Sequence, residues 1–496
     1  MRARSFYSNL LFSLGLNLII KPTAIFIIDA AVQNEVGSAY GLYFVFFNLS
    51  LILSILFDLG INNYSTRLSA QNIEVSKNYF STVFVLRILL MLIYILGIVL
   101  LKYFVSISWT EYKLILLLGF NQFFIANISF FRSYFAGIQR FRLDAFFSVL
   151  DRLLLIFSMG YILYLLPDGH KLVSIESYAL VQFGCYLLSF VIAFITAIFI
   201  LKPSLNQIHL DRILPILKDA FPYALLIVLM TLYTRIDAWL LLHYSIEDGV
   251  REASKYAQAF RLIDALYMFA MVFAGILFPM FSKMLKENSN QIKGLVAQAS
   301  KLLFGASFIF VVFTLFRGGI VIDLIYRESS ADSALLLFLL SLAFLGMSSN
   351  LIYGSLLTAN GSLKILNTIS FVGLLLNFTL NLWLIPKAAH GAIAAAAIAA
   401  ITQLFTAIAQ AIYCKKVFQF EIIHKGLWRY LLLVLFSGAW YLSIYWAFGD
   451  FTPKSPLLAV LLILLDLCFL VVLLFLLKFI DLSELIKMLQ VRSKTQ

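Results

Sequence analysis

Residues 177–201 read SYALVQFGCYLLSFVIAFITAIFIL, a stretch of 25 residues without a charged side chain. About 20 mainly apolar residues suffice for a helix to cross the hydrocarbon core of a bilayer. The stretch is continuous and lacks the period-two alternation of a membrane β-strand. We therefore predict a transmembrane helix here.

Similar apolar stretches recur along the whole chain. Hydrophobic residues make up 62% of its 496 positions and charged residues only 12%, whereas a soluble chain carries roughly 45–50% apolar residues. The excess apolar surface must face lipid. We predict an all-α integral membrane protein with about fourteen spans, at residues 7–31, 38–59, 80–104, 113–136, 145–166, 177–201, 219–243, 255–281, 299–321, 334–358, 363–385, 391–413, 427–448 and 456–480.

The basic residues indicate an orientation. With the N-terminus in the cytoplasm, most Lys and Arg of the connecting segments fall on the cytoplasmic side, which is the usual bias. The others, such as Arg317, fall in outer segments or at span ends. Both termini are therefore predicted to be cytoplasmic. Because the basic residues are scattered through short loops, the net charge of +12 indicates contact with anionic membrane lipids and no nucleic-acid partner.

The two halves of the chain resemble one another. Lys21 in the first predicted span matches Arg235 in the seventh, and Tyr40 in the second matches Tyr256 in the eighth. A repeat of this kind predicts two lobes that rock to expose a central cleft to each side in turn. The predicted parts are a first six-span lobe at 1–210, a second at 211–416, and two extra helices with a cytoplasmic tail at 417–496.

Sequence features of an enzyme are not visible. Every loop is too short for a folded catalytic domain, the five histidines lie in loops or at span ends, and the three cysteines lack metal spacing. We therefore predict a transporter without catalytic residues, metal or cofactor. A membrane-embedded polymerase or glycosyltransferase is disfavoured.

Several short motifs resemble those of one known family, the polysaccharide repeat-unit flippases. These are the Wzx-type members of the multidrug/oligosaccharidyl-lipid/polysaccharide exporter superfamily. The likeness extends over roughly residues 5–450. It rests on Lys21-Pro22, Ile27-Ile28-Asp29, Val32-Gln33-Asn34, Val36-Gly37, Tyr40-Gly41-Leu42-Tyr43, Phe57-Asp58-Leu59-Gly60-Ile61-Asn62-Asn63, Leu384-Ile385-Pro386-Lys387 and His390-Gly391-Ala392-Ile393-Ala394.

The resemblance implies a fold and a substrate. The implied fold is a MATE-like exporter fold of two six-helix lobes with two extra helices, in the bacterial inner membrane. The implied substrate is an oligosaccharide linked to undecaprenyl pyrophosphate, flipped for surface polysaccharide or lipopolysaccharide biosynthesis alongside assembly partners. Many relatives carry Arg after the Ile-Asp pair of the first span, whereas Ala30 stands here. A cationic contact at that position is therefore in doubt.

Basic residues inside predicted spans are candidates for the substrate site, because a charge at mid-bilayer costs a few kcal/mol or more. We expect Lys21 and Arg235 to face each other across the cleft and, with Arg261, to bind the pyrophosphate. Internal ion pairing, or snorkelling of Lys21 to the interface, is the alternative. Three further cations, nearer the cytoplasm, form a predicted access path or anchor their helices: Arg87, Arg132 and Arg152.

Three acidic residues are candidates for coupling transport to a proton or sodium gradient, or for pairing with the cations. They are Asp29, Asp237 and Asp264. Asp264 lies three residues after Arg261, so the two side chains share a helix face and are expected to pair. Asp29 and Asp237 lie near the outer ends of their spans, where wet, exposed carboxylates are the alternative.

The charges also rank the possible functions. A flippase for a lipid-linked anionic oligosaccharide is the leading hypothesis because the deep charges are basic. A cation-coupled multidrug antiporter of the same fold is the alternative, although a carrier of cationic drugs needs an acidic cleft. A peptidoglycan-precursor flippase is a narrower possibility that the charges leave open.

Overall fold

The fold of the described chain is helical. The computed structural model describes residues 15–58, 73–104, 108–138, 140–201, 213–287, 292–327, 332–419, 427–448 and 455–477. Within these ranges the chain forms α-helices with short 3₁₀ and π segments and holds no strand. The predicted all-α class is confirmed. Both chain ends, and the Phe57–Asn63 motif from residue 59 onward, lie outside the described residues.

The helices are numbered here in chain order. The first, α1, covers residues 15–36 and contains a π-helical segment, Ala24–Asp29. The others are α2 (Tyr40–Asp58), α3 (Ile73–Phe104), α4 (Trp109–Gly137), α5 (Phe141–Phe147), α6 (Leu150–Gly160), α7 (Ile175–Leu201), α8 (Ile213–Arg235), α9 (Asp237–Tyr244), α10 (Gly249–Lys286), α11 (Ile292–Ile325), α12 (Ser333–Ala359), α13 (Leu363–Leu384), α14 (Gly391–Phe418), α15 (Leu427–Phe448) and α16 (Pro456–Leu476).

The predicted count of fourteen spans is not confirmed. Eleven helices of the described chain are long and apolar enough to cross a membrane, or twelve if α8 and α9, bent by 42°, form one span. The first two predicted spans count together as Gly15–Ile55, and the apolar part of α15, Trp428–Ile444, is too short to be counted.

A chain reversal divides the stretch Gly15–Ile55. Gly37 adopts φ 59°, a backbone conformation that residues other than glycine rarely adopt, and it begins a 3₁₀ turn at Gly37–Ala39. The Tyr40 hydroxyl then donates a 2.6 Å hydrogen bond to Asp29, eleven residues earlier. In a straight helix these residues would be about 16 Å apart along the axis. The bond therefore requires α1 and α2 to form a hairpin.

The contacts divide the chain into two units. The first holds the described residues up to Ala257 together with Leu363–Ala392, and the second holds Gln258–Ser362 and the described chain from Ile393 onward. Aromatic residues fill the core of the first unit, where Phe80 packs on Phe130 and Phe131 between α3 and α4. Each unit is a group of residues that contact one another. The predicted lobe boundaries at residues 210 and 416 are a different division and remain a prediction.

Small polar side chains join α11 and α12 in the second unit. Ser307 donates to Ser348 and Thr314 to Ser341, each at 2.8 Å. Gly346 of α12 lies so close to the backbone of Gln403 that a Cβ would be 2.5 Å from its carbonyl carbon. Small residues let membrane helices approach closely and bond directly, because no water competes for those groups.

Candidate functional site

A group of charged side chains forms where α1 runs beside α5 and α6. The Asn17 amide donates a 2.9 Å hydrogen bond to Ser148, which lies at the break between α5 and α6. Lys21 follows one helical turn after Asn17 and lies in the electrostatic field of Arg132, Asp144, Asp151 and Arg152. We call Lys21 and these four residues the basic cluster. All five lie in the first unit.

Two of the three cations in the basic cluster are ion-paired. Arg132 Nε lies 2.7 Å from Asp144 Oδ1, and Arg152 Nε lies 3.5 Å from Asp151 Oδ2. Lys21 has no carboxylate within 4 Å among the described residues. The side chains of Arg132 and Arg152 are 30% and 27% exposed, so neither is fully buried. The cluster therefore carries one net positive charge and one cation without a direct partner.

This grouping differs from the predicted one. Lys21 was predicted to face Arg235, and Arg132 and Arg152 were predicted to form a separate access path, whereas in the structure Arg132 and Arg152 act electrostatically on Lys21. Arg235 instead donates to the Asn48 side chain at 3.3 Å. The packing of α1 on α5–α6 produces this grouping, and that packing is not visible in the sequence.

The two carboxylates Asp29 and Asp237 are buried, which rules out wet, exposed side chains in this structure. Asp29 is 7% exposed and accepts bonds from the hydroxyls of Tyr40 at 2.6 Å and Tyr178 at 2.9 Å. Asp237 is 1% exposed and accepts bonds from Tyr256, Asn377 and Asn381 at 3.0, 3.1 and 3.0 Å. The side-chain amide oxygen of Asn381, Oδ1, accepts no hydrogen bond from a described group.

The tyrosine–aspartate bond recurs in the matched segments. Tyr40 bonds Asp29 and Tyr256 bonds Asp237, and these tyrosines are the pair that the sequence matched. The two cations, however, are placed differently relative to these carboxylates. Lys21 precedes Asp29 by eight residues, which is about 12 Å along a helix, whereas Arg235 precedes Asp237 by two residues, which is about 3 Å. The repeat is supported by the carboxylates, but Lys21 and Arg235 do not occupy equivalent positions in it.

The remaining predicted cations differ in their surroundings. Arg87 is fully buried, donates to the Ala126 carbonyl at 3.0 Å and lies 4.7 Å from the Phe130 ring centre. Arg261 and Asp264 lie 3.8 Å apart and are both buried, which confirms that they pair. Within the described residues, no three His, Cys, Asp or Glu side chains are grouped to hold a metal ion.

One ion pair within the predicted spans, Arg317–Asp466, was not predicted from the sequence. Arg317, which was assigned to an outer segment or span end, lies within α11 and bonds Asp466 of α16 at 2.7 Å. Trp440 of α15 donates to the other Asp466 oxygen at 2.8 Å, and Arg317 lies 5.1 Å from the Tyr441 ring centre. A lone Asp at the centre of an apolar span was the available signal, because such a charge needs a partner.

The sequence profile of a family described as "Polysaccharide biosynthesis protein" matches residues 9–285. No curated protein matches the chain. The structure is similar to lipid II flippase MurJ in an inward closed conformation, with a TM-score of 0.70, 16% identity, and 98% of this chain and 100% of that chain covered.

Two further transporter structures share the fold with lower TM-scores. A MATE transporter in complex with MaL6 gives a TM-score of 0.60 at 15% identity over 82% of this chain and 94% of that one. A MOP-superfamily transporter from Pyrococcus furiosus, described as having a reversed polarity of its binding pocket, gives 0.60 at 14% identity over 82% and 93%. At these identities the likeness shows the fold alone. The profile match, which spans more than half of the chain, shows that this multi-pass membrane protein belongs to the polysaccharide biosynthesis protein family, with the fold of the MOP-superfamily flippases and transporters.

Proposed function

We propose that this protein flips an oligosaccharide linked to undecaprenyl pyrophosphate across the bacterial inner membrane by alternating access. The observation that carries the proposal is the basic cluster, in which the two carboxylates pair with Arg132 and Arg152 and Lys21 makes no ion pair among the described residues. An uncompensated charge in a span costs roughly 2.5–3.5 kcal/mol on insertion scales. A phosphate ligand would offset this cost through charge-assisted hydrogen bonds.

The charges and the lipid carrier fit together. Arg132 and Arg152 act electrostatically on Lys21, and a guanidinium group can bind phosphate oxygens in a fork. The polyprenyl tail would stay in lipid while the phosphates contact the cluster. Arg235 and Arg261 remain proposed as further contacts, with Arg261 already partly neutralised by Asp264.

We further propose that Asp237 couples transport to a proton or sodium gradient. Its carboxylate lies among the hydroxyl of Tyr256 and the amides of Asn377 and Asn381, and the Asn381 carbonyl oxygen is available as an acceptor. Carboxylate and amide oxygens are ligands for hard cations. Asp29, held by the hydroxyls of Tyr40 and Tyr178, is the second candidate.

The direct test is flipping of a defined undecaprenyl-pyrophosphate-linked oligosaccharide by purified protein in vesicles. Lys21→Ala should weaken substrate binding about ten- to hundredfold, because it removes a charge-assisted bond worth about 1.5–3 kcal/mol. Lys171→Ala is the matched control, since Lys171 is 68% exposed and pairs with Asp168 in a loop. Equal transport by wild type and Lys21→Ala at equal abundance would reject the basic cluster as the phosphate site.

A drug-export measurement and the Asp237→Asn variant distinguish the proposed function from a multidrug antiporter and test the coupling site. Export of a cationic drug, unchanged in Lys21→Ala, would favour a multidrug antiporter instead. Asp237→Asn should abolish the dependence of flipping on the driving ion while leaving substrate binding intact. Ion dependence that persists in Asp237→Asn would remove Asp237 from the coupling site.

A further inference from the structure

The acidic residues of the basic cluster lie on either side of a helix break. Asp144 lies on α5, Asp151 lies on α6, and Ser148 lies at the break between the two helices. The Asn17–Ser148 bond fixes α1 against this break, and Lys21 lies one turn further along α1. Asp144 and Asp151 therefore lie beside the same cations that the phosphate would bind.

Each carboxylate occupies a donor that a phosphate would need. Asp144 accepts from Arg132 Nε at 2.7 Å, and Asp151 lies 3.5 Å from Arg152 Nε. The four side chains are between 15% and 30% exposed, so neither pair is fully buried. Ion pairs that are not fully buried are weaker and exchange more readily than pairs in a dry interior.

We propose that Asp144 and Asp151 are place-holding carboxylates that neutralise Arg132 and Arg152 while the site is empty and give way to the phosphates of a polyprenyl pyrophosphate. This inference rests on the proposed function. While the site is empty, the ion pairs keep two of the three cations compensated. On release, the same carboxylates compete with the departing phosphates for the guanidinium groups.

Removing a place-holding carboxylate should change pyrophosphate affinity in the opposite direction from removing a carboxylate that only positions an arginine. A carboxylate that competes with the ligand weakens binding, so its removal should strengthen binding. A carboxylate that only orients Arg132 helps binding, so its removal should weaken it. The effect should be larger at Asp144 than at Asp151, because the Asp144 pair is the shorter of the two.

The experiment measures binding of undecaprenyl pyrophosphate to the purified full-length protein in detergent. Asp144→Asn should bind it about three- to fivefold more tightly than wild type, and Asp151→Asn about twofold. Asp168→Asn is the matched control, because it removes the same charge from an exposed pair, and it should bind as wild type does. Undecaprenol, which lacks phosphates, should show no difference among the variants.

Transport supplies the second measurement. Because release becomes harder, Asp144→Asn should flip substrate several-fold more slowly at saturation despite its tighter binding. Unchanged or weaker binding by Asp144→Asn, with Lys21→Ala still defective, would overturn the place-holding role alone. No pyrophosphate binding by wild type, and no effect of Lys21→Ala, would overturn the proposed function and this inference together.

Discussion

Replacing Arg317 by leucine should strongly destabilise the second unit, because the substitution leaves a charged carboxylate in an apolar environment. Asp466 is fully buried at the eleventh position of the 21-residue helix α16. Its oxygens are bound by Arg317 at 2.7 Å and by the Trp440 indole at 2.8 Å. Removing one partner of a buried ion pair costs about 3–5 kcal/mol, and one indole bond cannot compensate the remaining charge.

The double variant Arg317→Leu/Asp466→Leu should be much less destabilised than Arg317→Leu alone. Removing both charges avoids the unpaired carboxylate, and the attraction within a buried pair largely cancels the cost of its desolvation. We expect a coupling free energy of at least about 2 kcal/mol from the double-mutant cycle. Equilibrium unfolding in detergent, followed by the helical circular dichroism signal, measures it.

An exposed ion pair in the same unit provides the control. Lys283 lies 3.9 Å from Glu287, with side chains 76% and 57% exposed. Lys283→Ala should therefore change the free energy of unfolding by no more than about 0.5 kcal/mol. If Arg317→Leu and the double variant unfold alike, the pair does not hold α11, α15 and α16 together, and the reasoning fails.

Three further predictions concern packing, bonding and topology. Gly41→Ala should lower thermal stability and flipping, because its Cβ would clash with the Val250 carbonyl oxygen, whereas Gly97→Ala meets nothing within 4 Å and should behave as wild type; equal melting of both variants would contradict the contact. Tyr256→Phe removes one of the donors to Asp237 and should cost about 1 kcal/mol in unfolding free energy while ion-dependent flipping persists; full loss of ion dependence would instead make the tyrosine a direct ion ligand. Reporter fusions after residues 170 and 250 should read periplasmic and those after 210 and 290 cytoplasmic, and an inverted pattern would reverse the orientation.

Local composition made the membrane class and many helix positions predictable. The spans in α4 and α11 were placed from apolar stretches interrupted by polar residues, and both are long apolar helices in the structure. The hairpin at Gly37 was also predictable, since glycine follows one predicted span and precedes the next. Lipid insertion depends on the average polarity of about 20 consecutive residues, which a sequence displays directly.

The sequence also showed which residue types are unusual. It singled out the basic and acidic residues inside spans, and it matched Tyr40 with Tyr256, which the structure shows to make equivalent bonds to Asp29 and Asp237. It also gave the pairing of Arg261 with Asp264, because residues three apart share a helix face. Each of these inferences depends on neighbours along the chain or on a recurring pattern.

The partners of the other charges were decided only by the tertiary structure. Lys21 meets Arg132 and Arg152 because α1 packs on α5 and α6, and Arg317 meets Asp466 across 149 residues of chain. In the same way, Asp237 receives Asn377 and Asn381 from a helix about 140 residues away. In lipid, apolar helices of similar composition are interchangeable as neighbours until small residues and buried polar groups select a particular packing. Composition therefore determined that each span crosses the membrane, while long-range packing determined which of its charges meet.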